Sequence, residues 1–132
     1  MSLSGHCHCG AVSYQVNGEP RRMARCHCNA CRRTTGTGHL VQAFFKRADV
    51  KIAGKTASHQ STSDTGNTRT RHFCPTCGSR LFSGNSNAPD GIGIAVGSFD
   101  DSSWFKPEVI VYEDCRPAWD PIDQGIKTRK AP

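Results

Sequence analysis

Seven of the eight cysteines fall into three tight clusters, Cys7-x-Cys9, Cys26-x-Cys28-x-x-Cys31 and Cys74-Pro75-Thr76-Cys77-Gly78. Thiolates two or three residues apart can converge on one metal ion about 2.3 Å from each sulfur, and zinc takes four such ligands in structural sites and three in catalytic ones. Seven divides into four and three, which suggests one closed site and one short of a protein ligand. In the Cys74–Cys77 turn, proline fixes the chain after the first sulfur. Gly78 can take a positive φ, so that backbone N–H groups turn toward the sulfurs. A redox dithiol is the other use of Cys-x-x-Cys, and the remaining clusters argue against it.

Spacing alone leaves the partition open. Cys7 and Cys9 would share a strand face and complete a four-cysteine set with Cys74 and Cys77. A zinc-ribbon-like pairing of Cys28/Cys31 with Cys74/Cys77 is also possible, but it would strand Cys7, Cys9 and Cys26. For the triplet, the candidates for a fourth ligand are Cys115, His27, His39, water or a substrate thiol. If Cys115 closes that site, its metal is structural. His27, between two ligands, should point away from them.

These clusters need turns between short strands. Val12, Tyr14 and Val16 alternate with Ala11, Ser13 and Gln15, which predicts a strand over 11–16. Met23 to Cys26 leads into the triplet, and Asn29 to Thr34 predicts one helical turn ending at Gly36. Strands are expected over 39–45, 50–53, 79–83, 92–96 and 109–112, with a hairpin of 58–63 and 68–73 around Asp64-Thr65-Gly66-Asn67. The residues after Ile122 are polar and are expected to fray. Thirteen glycines against three leucines oppose long helices. The expectation is a mainly β, single-domain chain over 1–132, with a core over about 5–120 and a tail over 121–132.

Length and charge limit the partners. A chain of 132 residues suits one modest core. It has no apolar run near the ~20 residues a bilayer requires, no signal-like start and no Asn-x-Ser/Thr acceptor. A reducing cytoplasm and no membrane are therefore expected. The net charge is +6, from 17 basic and 11 acidic residues, which favours an anionic partner. Arg21, Arg22, Arg25, Arg32 and Arg33 crowd the middle triplet, so an anion could sit beside a metal there.

The residues Gly5-His6-Cys7-His8-Cys9-Gly10-Ala11-Val12, Cys26-His27-Cys28-Asn29-Ala30-Cys31-Arg32-Arg33, Phe73-Cys74-Pro75-Thr76-Cys77-Gly78-Ser79, Gly97-Ser98-Phe99-Asp100-Asp101 and Trp119 resemble the glutathione-dependent formaldehyde-activating family, whose domain is shared with centromere protein V. The resemblance implies an Mss4-like fold, several small coiled antiparallel sheets with zinc-bearing turns and little helix. It implies a structural zinc on Cys7, Cys9, Cys74 and Cys77, and a second, functional zinc on Cys26, Cys28 and Cys31. Cys115 lies outside the ligand pattern, and Phe99 stands where the family commonly has leucine.

The activity so implied is that of a carbon–sulfur lyase of the S-(hydroxymethyl)glutathione synthase type, with glutathione as co-substrate and a small aldehyde. A zinc with three thiolates can accept a further sulfur. The two glutathione carboxylates would meet Arg32, Arg33 or others of that arginine group, and His27 and Asp100 are candidates to shuttle a proton. The competing readings are a non-catalytic zinc-stabilised binding module for an anionic partner, nucleic acid or protein, and a zinc-stapled scaffold. Against nucleic acid, aromatic residues make up only 8% of the chain and none are spaced for base stacking.

Overall fold

In the computed structural model, residues 1–122 and 125–132 are described. The strands are β1 (Ser2–His6), β2 (Ser13–Asn17), β3 (Arg22–Cys26), β4 (Leu40–Lys46), β5 (Val50–Ala53), β6 (Ala57–Thr62), β7 (Thr68–Phe73), β8 (Arg80–Asn85), β9 (Gly91–Ala95), β10 (Val109–Val111) and β11 (Lys127–Thr128). One α-helix, α1 (Asn29–Thr35), follows β3. The fold is mainly β, with strands in the order β1-β2-β5 in a small sheet and β11-β10-β3-β4-β9-β8-β7-β6 in a large one.

Alternation along β4 decides how the sheets pack. Ala43 and Phe45 enter the main core, where Tyr14, Val16 and Val50 of the small sheet meet Leu81, Phe82, Ile92 and Ile94 of the large one. Leu40 and Phe44 face the other way, onto a second cluster with Ala24, Cys26, Val109 and Val111. Tyr14 stands edge-on to Phe82 and Phe99, with ring centroids 5.3 Å away in both cases, the offset geometry aromatic quadrupoles favour. Phe45 is fully buried, a burial that contributes about 2–3 kcal/mol.

Three features go beyond the sequence expectations. Residues 2–6 form β1, held by antiparallel pairing of Leu3 with Val16 and Gly5 with Tyr14. A Cβ on Gly5 would lie 2.3 Å from both the Tyr14 hydroxyl and the Ser98 carbonyl, so only glycine permits this approach. Next, β10 joins β3 in parallel, Val109 opposite Ala24 and Val111 opposite Cys26. Last, part of the expected tail is ordered: β11 pairs in parallel with β10, and Arg129 N–H donates to Ile110 O at 2.7 Å. Both side chains of β11 are exposed, so backbone pairing holds it, a signal no hydrophobic pattern carries. Residues 123 and 124 of that tail lie outside the described residues.

Candidate functional site

The first cysteine cluster is built from two similar turns. After β1, Cys7 N–H donates to Val12 O and Gly10 N–H to Cys7 O; after β7, Cys74 N–H donates to Ser79 O and Gly78 N–H to Cys74 O. Gly10 and Gly78 take φ values of 81° and 78°, the left-handed conformation open to glycine and expected of Gly78. The turned amides of Val12 and Cys77 donate to the sulfurs of Cys7 and Cys74 at 3.3 and 3.5 Å. Ser79 ties the turns together, its hydroxyl accepting from His8 N–H at 3.0 Å and lying 3.2 Å from Cys77 Sγ.

All four sulfurs lie within 4.8 Å of one another. The Cys7–Cys9 and Cys9–Cys74 separations are both 3.7 Å. Four sulfurs about 2.3 Å from a common centre define a tetrahedron with edges of about 3.8 Å, so the cage fits a tetrahedral ion. The Ser79 hydroxyl, helped by the amides of Ser79 and Cys9, lowers the Cys77 thiol to about 5. A ligating thiolate is favoured there.

The second cluster sits where β3 gives way to α1. His27 N–H donates to Val111 O at 3.1 Å, which fixes the loop against β10. Cys28 is the N-cap of α1, its Sγ accepting from Cys31 N–H at 3.2 Å, and Gly36 ends the helix with φ 75°. The sulfurs of Cys26, Cys28 and Cys31 lie within 4.8 Å of one another, and no other Cys, His, Asp or Glu among the described residues joins that group. Cys115 is exposed in the turn after β10, and belongs to neither cluster.

Contacts with the Cys26 and Cys31 thiols, backed by the Cys31 and Ala30 amides, lower Cys28 to about 2. The contact with Cys28 pushes Cys26 up. The three thiols therefore titrate together, and a cation bound among them would displace their protons.

Behind this loop is a buried polar network that the sequence does not announce. Asp120 accepts from Arg25 Nη2 at 2.9 Å and lies 2.6 Å from His39 Nδ1. Arg25 Nε donates to His27 Nε2 at 3.2 Å, so His27 Nδ1 carries the proton that reaches Gly38 O at 2.8 Å. Burial lowers the His27 pKa further. His27 is fully buried with both ring nitrogens engaged, so it points away from the sulfurs as expected, and it is not placed to shuttle protons. A Cβ on Gly38 would fall 2.3 Å from Asp120 Oδ2. Asp120 is 81 positions beyond His39, and its only sequence signal is the neighbouring Trp119.

A cleft of 480 Å³ opens over the large sheet, with Cys26 in its wall beside Arg22, Arg69, Gln42, Phe44 and Tyr112. Tyr112 has φ 55°, a strained conformation for a non-glycine residue, and its hydroxyl donates to Asp64 Oδ1 at 2.8 Å. Asp100 is elsewhere, accepting from Ser4 Oγ at 2.9 Å and lying 3.5 Å from His6 Nε2 in a separate hollow. It does not line the Cys26 cleft. Arg32 and Arg33 sit in the last turn of α1, Arg33 exposed and turned about 200° around the helix axis from Cys31. Arg80, which sequence reading passed over, lies in electrostatic range of Cys31 and Cys28 and donates to Thr34 Oγ1 at 2.6 Å.

The sequence model of the family described as glutathione-dependent formaldehyde-activating enzyme matches residues 2–115. The chain belongs to this family. A Halomonas elongata protein provisionally named a glutathione-dependent formaldehyde-activating enzyme is 32% identical, over 98% of this chain and 86% of its own length. A crystal structure of a Rhodobacter sphaeroides protein shares the fold at 22% identity, with a TM-score of 0.60, covering 96% of this chain and 98% of that one. The family match ends before Asp120, so the network that backs the triplet loop is completed by residues beyond it. No helix among the described residues is long and apolar enough to cross a membrane.

Proposed function

We propose that this single-domain protein is a zinc-dependent enzyme of the carbon–sulfur lyase type, acting in the cytoplasm on the adduct of glutathione, or a related thiol, with formaldehyde or another small aldehyde. Family membership supports the glutathione and formaldehyde part. The observation that carries the rest is the contrast between the clusters: four sulfurs close a cage between two turns, whereas three meet where one of them, Cys26, lines a cleft. In this reading Cys7, Cys9, Cys74 and Cys77 hold a structural zinc, and Cys26, Cys28 and Cys31 hold a second.

Zinc bound by three thiolates supplies a place where an entering thiol is kept as thiolate. In the synthetic direction the glutathione sulfur attacks the aldehyde carbon, the carbon–sulfur bond forms, and the carbonyl π pair moves onto oxygen. The thiol's proton leaves to solvent and the new alkoxide takes one up. The chain's own contribution is to hold the three sulfurs on a loop clamped by Val111 and Asp120, and to place the Tyr112 oxygen in the wall of the same cleft. Burial, the Asp64 hydrogen bond and the charges of Asp64, Cys28 and Cys26 raise the Tyr112 pKa. Its hydroxyl thus stays protonated, with that proton held by Asp64, and its oxygen is left to accept from the adduct's new hydroxyl.

Metal analysis of the wild type and of Cys28→Ser, each titrated with glutathione, tests the reading. Two zincs in the wild type are expected, with one zinc and glutathione binding lost together in Cys28→Ser while the fold is kept. The wild type should also speed formation of S-(hydroxymethyl)glutathione from ¹³C-formaldehyde above the uncatalysed rate. Two zincs with no thiol bound would leave a zinc-stabilised scaffold instead.

A further inference from the structure

We infer that the cleft beside Cys26 holds the body of a dicarboxylate thiol ligand, with Arg22 and Arg69 as its carboxylate partners and the Gln42 amide as the donor to its peptide carbonyl. The inference rests on the thiol-handling reading and assigns that ligand's contacts to residues of the sheet rather than to Arg32 and Arg33 of α1.

The floor of the cleft is made low by sequence. Along β9, Ile92 and Ile94 enter the main core, so Gly91 and Gly93 face the cleft with no side chain. A Cβ on Gly93 would lie 2.6 Å from Ser83 Oγ and 2.7 Å from Gln42 Oε1. The space that β9 leaves is therefore occupied by a buried polar pair, Ser83 Oγ donating to Gln42 Oε1 at 2.6 Å. Gln42 is only 5% exposed, yet its NH₂ group makes no hydrogen bond among the described residues while its side chain lines the cleft. Among the buried side-chain atoms of the described residues only Arg71 Nε and Arg116 Nε lack a partner, so the Gln42 nitrogen reaches the solvent of the cleft and is free to donate to a ligand there.

The charges in the wall point to the ligand's class. Arg21 at the rim is neutralised by Asp90 at 3.3 Å. Arg22 and Arg69 are half-buried, and neither makes an ion pair among the described residues. Arg22 lies over the Phe44 ring, 6.0 Å from its centroid, which fixes the direction its guanidinium faces. Two half-buried positive charges without counter-ions, a free amide donor and the Cys26 member of the thiol cluster in one cleft match a small peptide with two carboxylates and one sulfur. A carboxylate bound to an arginine pair of hydrogen bonds supplies the missing charge with matching geometry.

Calorimetric titration of the zinc-loaded protein distinguishes these contacts. Three ligands are compared: glutathione, S-methylglutathione, which keeps both carboxylates but has no free thiol, and cysteamine, which has a thiol and no carboxylate. Arg22→Ala and Arg69→Ala should each raise the Kd for glutathione and S-methylglutathione about tenfold or more and leave cysteamine unchanged, with zinc content and circular dichroism as in the wild type. Gln42→Leu should weaken the two peptides alone. Arg32→Ala and Arg33→Ala should stay within about twofold of the wild type. Loss of peptide affinity in Arg32→Ala or Arg33→Ala, with Arg22→Ala and Arg69→Ala unaffected, overturns the inference. Retained arginine-dependent binding of S-methylglutathione without any formaldehyde turnover would sustain the cleft assignment and defeat the lyase reading, so the two can fail separately.

Discussion

Among single residues, Asp120 has the widest reach: it joins Arg25, His39 and His27 behind a loop that carries three cysteines. Burial works against its charge, but the His39 hydrogen bond and the charges of His39 and Arg25 outweigh that and hold its carboxyl below the usual range. A folded-state pKa lower than the unfolded value of about 3.9 gives stability that is present above that value and lost as pH falls through the folded one. Asp120→Ala leaves the Arg25 guanidinium, at 12% side-chain exposure, without its partner and should destabilise the protein by about 3 kcal/mol. Urea unfolding at pH 7 checks the size. The same measurement at pH 3 should find mutant and wild type closer together; a gap that stays constant from pH 7 to pH 3 would show that the carboxylate charge is not the source.

At the scale of elements, α1 and the triplet loop are one object, because the residue that caps the helix is also a sulfur donor. Cys28→Ser and Cys28→Ala should both remove the triplet's metal, but serine restores an acceptor for Cys31 N–H and alanine does not. Cys28→Ala should therefore cost the helix about 1 kcal/mol more than Cys28→Ser, seen as faster hydrogen exchange at the Cys31 amide in the alanine variant alone. The cysteines, their turns, α1 and most strands were legible in the sequence because each is a local pattern of spacing, alternation or turn residues. The parallel joining of β10 to β3, the cleft and the Asp120 network were not legible, since they depend on pairings between positions about 40 residues or more apart. Arg22 and Arg33 illustrate the limit: both lie near the triplet in sequence, but strand alternation sends Arg22 into the cleft whereas helical rotation carries Arg33 away from the sulfurs.

Across the whole molecule, the four-cysteine cage is the junction of the two sheets, since Cys7 and Cys9 follow β1 of the small sheet and Cys74 and Cys77 follow β7 of the large one. If the cage holds the proposed zinc, a strong chelator should lower the Tm and release protection first in β1, β2 and β5, with β4 and β9 protected longest, as read by hydrogen exchange and mass spectrometry. Simultaneous loss from both sheets would instead mean that the aromatic core alone couples them. The β3–β10 pairing has a consequence for biosynthesis. Cys26, Cys28 and Cys31 leave the ribosome well before Val111 and Asp120, and at 5–20 residues per second the interval is roughly 4–16 s. For those seconds the nascent chain carries three reactive thiols on a loop without its clamp, open to oxidation or to capture by a thiophilic ion such as copper. If the triplet holds the proposed zinc, the choice of metal is thus exposed to the cell's thiol pool and free-metal levels during translation.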